Sequence, residues 1–142
     1  MNDIQFMLHA LEISEQALPF CTPNPPVGCV LVKDGQVVSE GYTQTIGGNH
    51  AEVEAINKYT GSLEGVIAYV TLEPCAFEGR TPSCAKMLAT TDISKVVVAL
   101  TDPDPRNSGK GIKILKENNI TVEVGVAKIE VEKFITKYLG QS

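Results

Sequence analysis

The sequence predicts a three-layer α/β/α domain, a five-stranded mixed sheet with helices on both faces. Three observations carry that prediction. The run VGCVLVKDGQVVSEGY sets Asp34 and Gly35 between two β-rich segments, a hairpin signal that makes the first two strands antiparallel. Downstream, β-rich and helix-periodic segments alternate, and helical crossovers between strands imply a parallel portion of the sheet. With 142 residues, 43% of them hydrophobic, the chain can bury the core of one domain.

The elements follow in order. Ile4, Met7, Leu8, Leu11, Ala17 and Leu18 approximate helical spacing behind Asp3 as a cap. The proline-rich CTPNPP separates that helix from the hairpin. A helix is expected over 50–59 behind Asn49 as cap, then a strand over 66–71. A helix over 83–90, a strand over 95–100, a helix over 109–118, a strand over 120–124 and a helix over 129–139 complete the pattern. No repeat, low-complexity segment or linker interrupts it, so residues 1–142 read as a single domain.

Composition narrows the function. No apolar run approaches the roughly 18–20 residues of a membrane span. The N-terminal MNDIQFMLHALEISEQAL has acidic residues and no basic flank, so it reads as an amphipathic helix and the expected location is cytoplasmic. Twelve Lys and Arg against 17 Asp and Glu leave a net charge of −5, which disfavours a nucleic-acid polymer as partner. Four cysteines in a reducing compartment point to metal ligation or burial before disulfides.

Open α/β sheets bind ligands beyond the C-terminal ends of their parallel strands. GGNHAEVEA and LEPCAFEGRTPSCAKML are loop-to-helix passages of that kind. The first puts His50 and Glu52 in an opening helical turn, whose side chains lean toward the helix tip. The second puts Cys75 after Pro74 at a strand end and Cys84 after Ser83 at a helix start, where unpaired amides stabilise a thiolate. One His and two Cys make three zinc ligands and leave a fourth position for water, whose pKa zinc lowers to about 7. Glu52, outside that ligand set, is placed to carry the water's proton. Taken alone, an H-x-E pair usually just complements a helix dipole, and two cysteines with eight residues between them are equally unspecific. Their conjunction at one rim of a parallel sheet is the informative feature, and it matches the general zinc-deaminase signature.

The segments TPNPPVGCVLVKDGQVVSEGYTQTIGGNHAEVEAI, AYVTLEPCAFEGRTPSCAKML and VVVALTDPDPRNSGKGIKIL resemble the deaminase domain of the bifunctional riboflavin-biosynthesis deaminase and reductase. That family lies in the cytidine deaminase-like superfamily, and the resemblance covers nearly the whole chain. It implies a cytidine deaminase-like fold, zinc on His50, Cys75 and Cys84, and Glu52 as proton shuttle. It implies substrate contacts from Asn24, Arg80, Asp102, Asp104 and Arg106. The implied reaction replaces an amino group of a diaminopyrimidinone ribosylamine 5′-phosphate with a carbonyl and releases ammonia. The resemblance further implies a homodimer or homotetramer. With no reductase domain in the sequence, a separate reductase would serve the pathway.

Three places depart from the family pattern, which has Arg or Lys after TPNP, two residues such as His-His before GR, and DPNP further on. Here they hold Pro26, Phe77 with Glu78, and Asp104. Donors are lost and two carboxylates gained, while Arg80, Arg106 and Lys110 remain as cations. Two substrate readings follow: the phosphorylated pyrimidine, or a less charged base or nucleoside. A catalytically inactive zinc-binding scaffold is a third reading, against which Glu52 stands, since a structural site gains nothing from it. Elsewhere, Cys29 is expected in the core, Cys21 in the core or at a pocket rim, and His9 at a surface or interface.

Overall fold

A computed structural model describes residues 2–79 and 81–139. Helix α1 spans Asp3–Ser14 and continues into a 3-10 turn at Glu15–Ala17. Its cap is Asn2 rather than Asp3: Asn2 Oδ1 accepts from Gln5 N while the Gln5 side chain accepts from Asn2 N, a reciprocal box that Asp3 cannot form. Asp3 instead accepts a hydrogen bond from the Tyr69 hydroxyl at 2.5 Å.

Strands β1 (Gly28–Lys33) and β2 (Gln36–Tyr42) form the expected hairpin. Asp34 and Gly35 both take positive φ, 51° and 75°, as a two-residue turn matching the strand twist requires. Helix α2 (Ala51–Lys58) leads to β3 (Ile67–Val70), α3 (Cys84–Ala89) to β4 (Lys95–Val98), and α4 (Lys110–Glu117) to β5 (Thr121–Val124). Helix α5 (Lys128–Ile135) and a 3-10 turn at Thr136–Tyr138 follow, where the periodicity alone predicts one continuous helix.

The sheet order is β2-β1-β3-β4-β5. The β1 strand pairs antiparallel with both β2 and β3, whereas β3, β4 and β5 run parallel. Because side chains alternate along a strand, the sheet has two apolar faces. Val30, Val32, Tyr69 and Val97 pack with Phe6, Met7, Ala10, Val131 and Ile135, so α1 and α5 cover one face. Cys29, Leu31, Ala68, Val96 and Val98 pack with Ala51, Ala55, Leu88 and Leu115, so α2, α3 and α4 cover the other. Cys29 is core, as expected; Cys21 is also fully buried, and the pocket described below does not include it. His9 is bonded to Glu40 across α1 and β2. Among the described residues, no helix is long and apolar enough to cross a membrane.

Two glycines set the heights of the helices that carry the site. A Cβ on Gly41 would lie 2.4 Å from Ala51 O and 2.5 Å from Ala55 N, so only glycine lets α2 sit this close to β2. Ser39 Oγ ties the same helix down by donating to Ala55 O at 2.6 Å. On Gly111 a Cβ would lie 1.9 Å from Pro74 O, so glycine is equally required where α4 meets the loop before Cys75.

Candidate functional site

The loops after β3 and β4 meet the start of α2 at the carboxyl rim of the parallel strands. His50 occupies the N-cap position of α2, displacing Asn49 from the predicted capping role, and makes no side-chain cap bond. Asn49 Nδ2 donates instead to Glu54 Oε2 at 2.9 Å. The His50 ring is therefore left to other partners. Its Nδ1 lies 3.3 Å from Cys84 Sγ and 3.8 Å from Cys75 Sγ. Cys84 opens α3 behind Ser83, whose hydroxyl accepts from Lys86 N, while Cys75 lies in the loop five residues beyond the last residue of β3 rather than at the strand end.

These three donor atoms lie within 4.8 Å of one another. Tetrahedral zinc with ordinary Zn–S and Zn–N bonds has ligand-to-ligand edges of roughly 3.6 Å, so the observed nitrogen-to-sulfur separations bracket the required value. The donor chemistry fits as well. Cys84 N donates to Cys75 Sγ at 3.2 Å, stabilising a thiolate. The hydrogen bond with Cys84 is the main cause that lowers the Cys75 pKa to about 4, and the same contact pushes Cys84 far up, so the two thiols share one proton. Hydrogen bonding to Cys75 also raises His50. A divalent cation bound there would take the place of the shared proton.

Glu52, in the first turn of α2, is buried and faces the same pocket. Burial raises its pKa to about 7, with the nearby His50 opposing that shift. A carboxyl so placed suits proton transfer near neutral pH.

The pocket has a volume of about 740 Å³, the size of a small-ligand site. Asn24, Asp102, Asp104 and Arg106 line it with His50, Glu52 and Cys75. Arg80 falls outside the described residues. The departures from the family pattern take definite places. Pro26 is buried and Glu78 is exposed, and neither is part of the pocket lining. Asp104 is held by Arg106, whose Nη2 donates to it at 2.6 Å and whose Nε donates to both carboxylate oxygens at 3.1 Å. That contact keeps the Asp104 carboxyl below its usual range. The guanidinium also stacks over Phe77 at 4.3 Å. Burial raises Asp102, which accepts from Asp104 N at 3.0 Å.

Sequence reasoning missed the residues that hold these loops. Glu73 is buried; its Oε1 accepts from Asp102 N and Gly109 N, and its Oε2 from Ile112 N, at 2.9–3.1 Å. The carboxylate thereby caps α4 from another loop and joins the two pocket loops. Asn107 is fully buried: its Oδ1 accepts from Ala76 N and Gly111 N, and its Nδ2 donates to Pro74 O at 3.2 Å. The partners are mainly backbone groups, which leave no complementary side chain in the sequence. The one available signal was an acid placed directly before Pro-Cys in TLEPC.

A sheet rim with a His, two Cys and a buried carboxylate over a ligand-sized pocket defines the class as a zinc-dependent hydrolase of small molecules. The chain belongs to the cytidine and deoxycytidylate deaminase zinc-binding family, whose model matches residues 1–100. It is 45% identical over 136 residues to the riboflavin biosynthesis protein RibD of Chlamydia muridarum, covering 96% of this chain but only 37% of that relative. To the diaminohydroxyphosphoribosylamino-pyrimidine deaminase of Buchnera aphidicola it is 42% identical, with 94% of this chain and 91% of the relative covered. The Acinetobacter baumannii RibD structure, form 2, superposes with a TM-score of 0.92 at 44% identity over 96% of this chain and 39% of that one. The cytidine deaminase-like fold and the zinc cofactor follow from that membership together with the donor set.

Proposed function

We propose that this chain hydrolytically deaminates a diaminohydroxyphosphoribosylaminopyrimidine, the substrate class in the name of its Buchnera aphidicola relative. The observation carrying this reading is the meeting of His50, Cys75 and Cys84 beside buried Glu52 at the wall of a pocket of nucleotide size. In it His50, Cys75 and Cys84 hold the metal. Zinc supplies Lewis acidity that makes water a nucleophile near neutral pH. Glu52 takes a proton from the attacking water and delivers it to the ring nitrogen next to the amino-bearing carbon. As the carbon–nitrogen bond breaks, Glu52 takes the remaining proton from the hydroxyl added to the ring carbon and passes it to the leaving amine, so water and substrate become a carbonyl product and ammonia. Asn24, Asp102, Asp104 and Arg106 line the pocket and contact the substrate.

A second reading, deamination of a less charged base or nucleoside, is favoured by the Asp104–Arg106 pair, which nearly cancels the positive charge at the pocket mouth. Steady-state ammonia release from the phosphorylated pyrimidine and from its dephosphorylated form separates the two. The first reading expects a clear preference in kcat/KM for the phosphorylated compound, and equal rates would transfer support to the second. The working unit is read as a cytoplasmic homodimer or homotetramer with residues 1–142 as one deaminase domain. A separate reductase would act on the product.

A further inference from the structure

The two ring nitrogens of His50 have different neighbours. Nδ1 faces the cysteines at 3.3 and 3.8 Å, whereas Nε2 lies 3.0 Å from Thr81 Oγ1. A nitrogen that binds a metal must offer its lone pair, so a cation held at Nδ1 leaves the ring proton on Nε2. That proton needs an acceptor in a partly buried place, and Thr81 Oγ1 is in position to be it. The ring has little else to orient it, since His50 makes no side-chain cap bond at the start of α2.

Thr81 is well anchored for such a task. Its carbonyl accepts from Gly79 N at 3.1 Å. Two residues later, Ser83 donates its hydroxyl to Cys75 O at 2.7 Å and caps α3 ahead of Cys84. One loop thus supplies both thiols and the acceptor for the third donor. A neutral hydroxyl there, in contrast to a carboxylate, adds no charge to a centre already rich in anionic donors.

We propose that Thr81 is a positioning residue of the metal centre: by accepting the Nε2 proton it fixes the tautomer and ring plane that point His50 Nδ1 at Cys75 and Cys84. The inference rests on the zinc reading of the site and is independent of which substrate is used. Thr81→Val keeps the side-chain shape and removes the acceptor; Thr81→Ser keeps the acceptor. Zinc dissociation constants of the full chain and both variants, measured by competition with a chromophoric chelator, read the effect directly. The expected result is affinity about 10-fold or more weaker in Thr81→Val and within about threefold of wild type in Thr81→Ser, with unchanged unfolding midpoints for the metal-free proteins. Wild-type affinity in the valine variant would overturn the proposal, as would a serine variant as weak as the valine one. A matching loss of metal-free stability in the valine variant would make Thr81 a packing residue and overturn it too. Failure of the wild-type chain to bind zinc would remove the zinc reading itself, a distinct result from normal wild-type binding with an indifferent Thr81.

Discussion

Replacing Gly111 with alanine sets helix propensity against packing at the metal loop. Within a helix, alanine is favoured over glycine by about 1 kcal/mol, so propensity alone predicts a more stable protein. Packing predicts the reverse. The added Cβ would lie 1.9 Å from Pro74 O and 3.1 Å from Pro74 C, and both are backbone atoms that no rotamer change can move away. Since real Cβ contacts essentially never fall under 3.0 Å, α4 and the Pro74 loop must separate by about 1 Å. Overpacking of this kind costs about 1–3 kcal/mol. The separation also strains the Asn107 bonds to Ala76 N at 3.1 Å and Gly111 N at 3.2 Å, each worth about 1 kcal/mol net. The net expectation is a loss of about 2–3 kcal/mol, or roughly 10 °C in Tm for a domain of this size. Cys75 follows Pro74 directly, and a metal site tolerates only about 0.2 Å in its ligand distances, so zinc affinity should fall at least about 10-fold. Thermal unfolding and chelator competition on the same preparation test both parts. An alanine variant as stable as wild type with full zinc occupancy would refute the claim that this close approach holds the metal loop.

Other outcomes follow from the same structure. Glu52→Gln should retain zinc and stability yet lose about 10²–10⁴-fold in kcat, checked by metal analysis alongside ammonia release. Arg106→Ala should raise KM for the phosphorylated substrate about 3–10-fold and leave the dephosphorylated one unaffected, because a contact to an exposed guanidinium is screened by solvent and therefore modest; equal effects on both compounds would exclude Arg106 from anion recognition. Burial, assisted by Asp3, raises the Tyr69 pKa well above its ordinary value. The folded value exceeds the unfolded one, so this contribution is fully present below about pH 10 and is lost as pH rises through the folded pKa. Denaturant titrations should therefore show wild type weakening above about pH 10, whereas Tyr69→Phe, about 1–2 kcal/mol less stable at pH 7, should show a shallower alkaline decline.

Much of the fold was legible because its signals are local. The Asp34-Gly35 turn and the alternating strand and helix periods each depend on residues a few positions apart. The donor types at His50, Cys75 and Cys84, with Glu52 close by, were legible for the same reason, since metal chemistry restricts which side chains can serve. Helix starts were read one residue late at Asn2 and one residue early at His50, because several adjacent polar residues can cap and tertiary contacts choose among them.

Other features belong to the tertiary structure alone. Glu73 and Asn107 hold the two pocket loops through backbone amides and carbonyls, groups every residue possesses and no pattern announces. Thr81 gains its place from a ring nitrogen 31 positions away in the chain. Asp104, read from sequence as one of two gained carboxylates, is engaged by its neighbour Arg106 once the loop folds back toward Phe77. By itself the sequence determined which chemical groups were available and on which kinds of element they sit. Which nitrogen faces the thiols, which carboxyl is buried at the pocket wall, and how closely helices approach the metal loop were decided only when chain packing assigned each polar group its place.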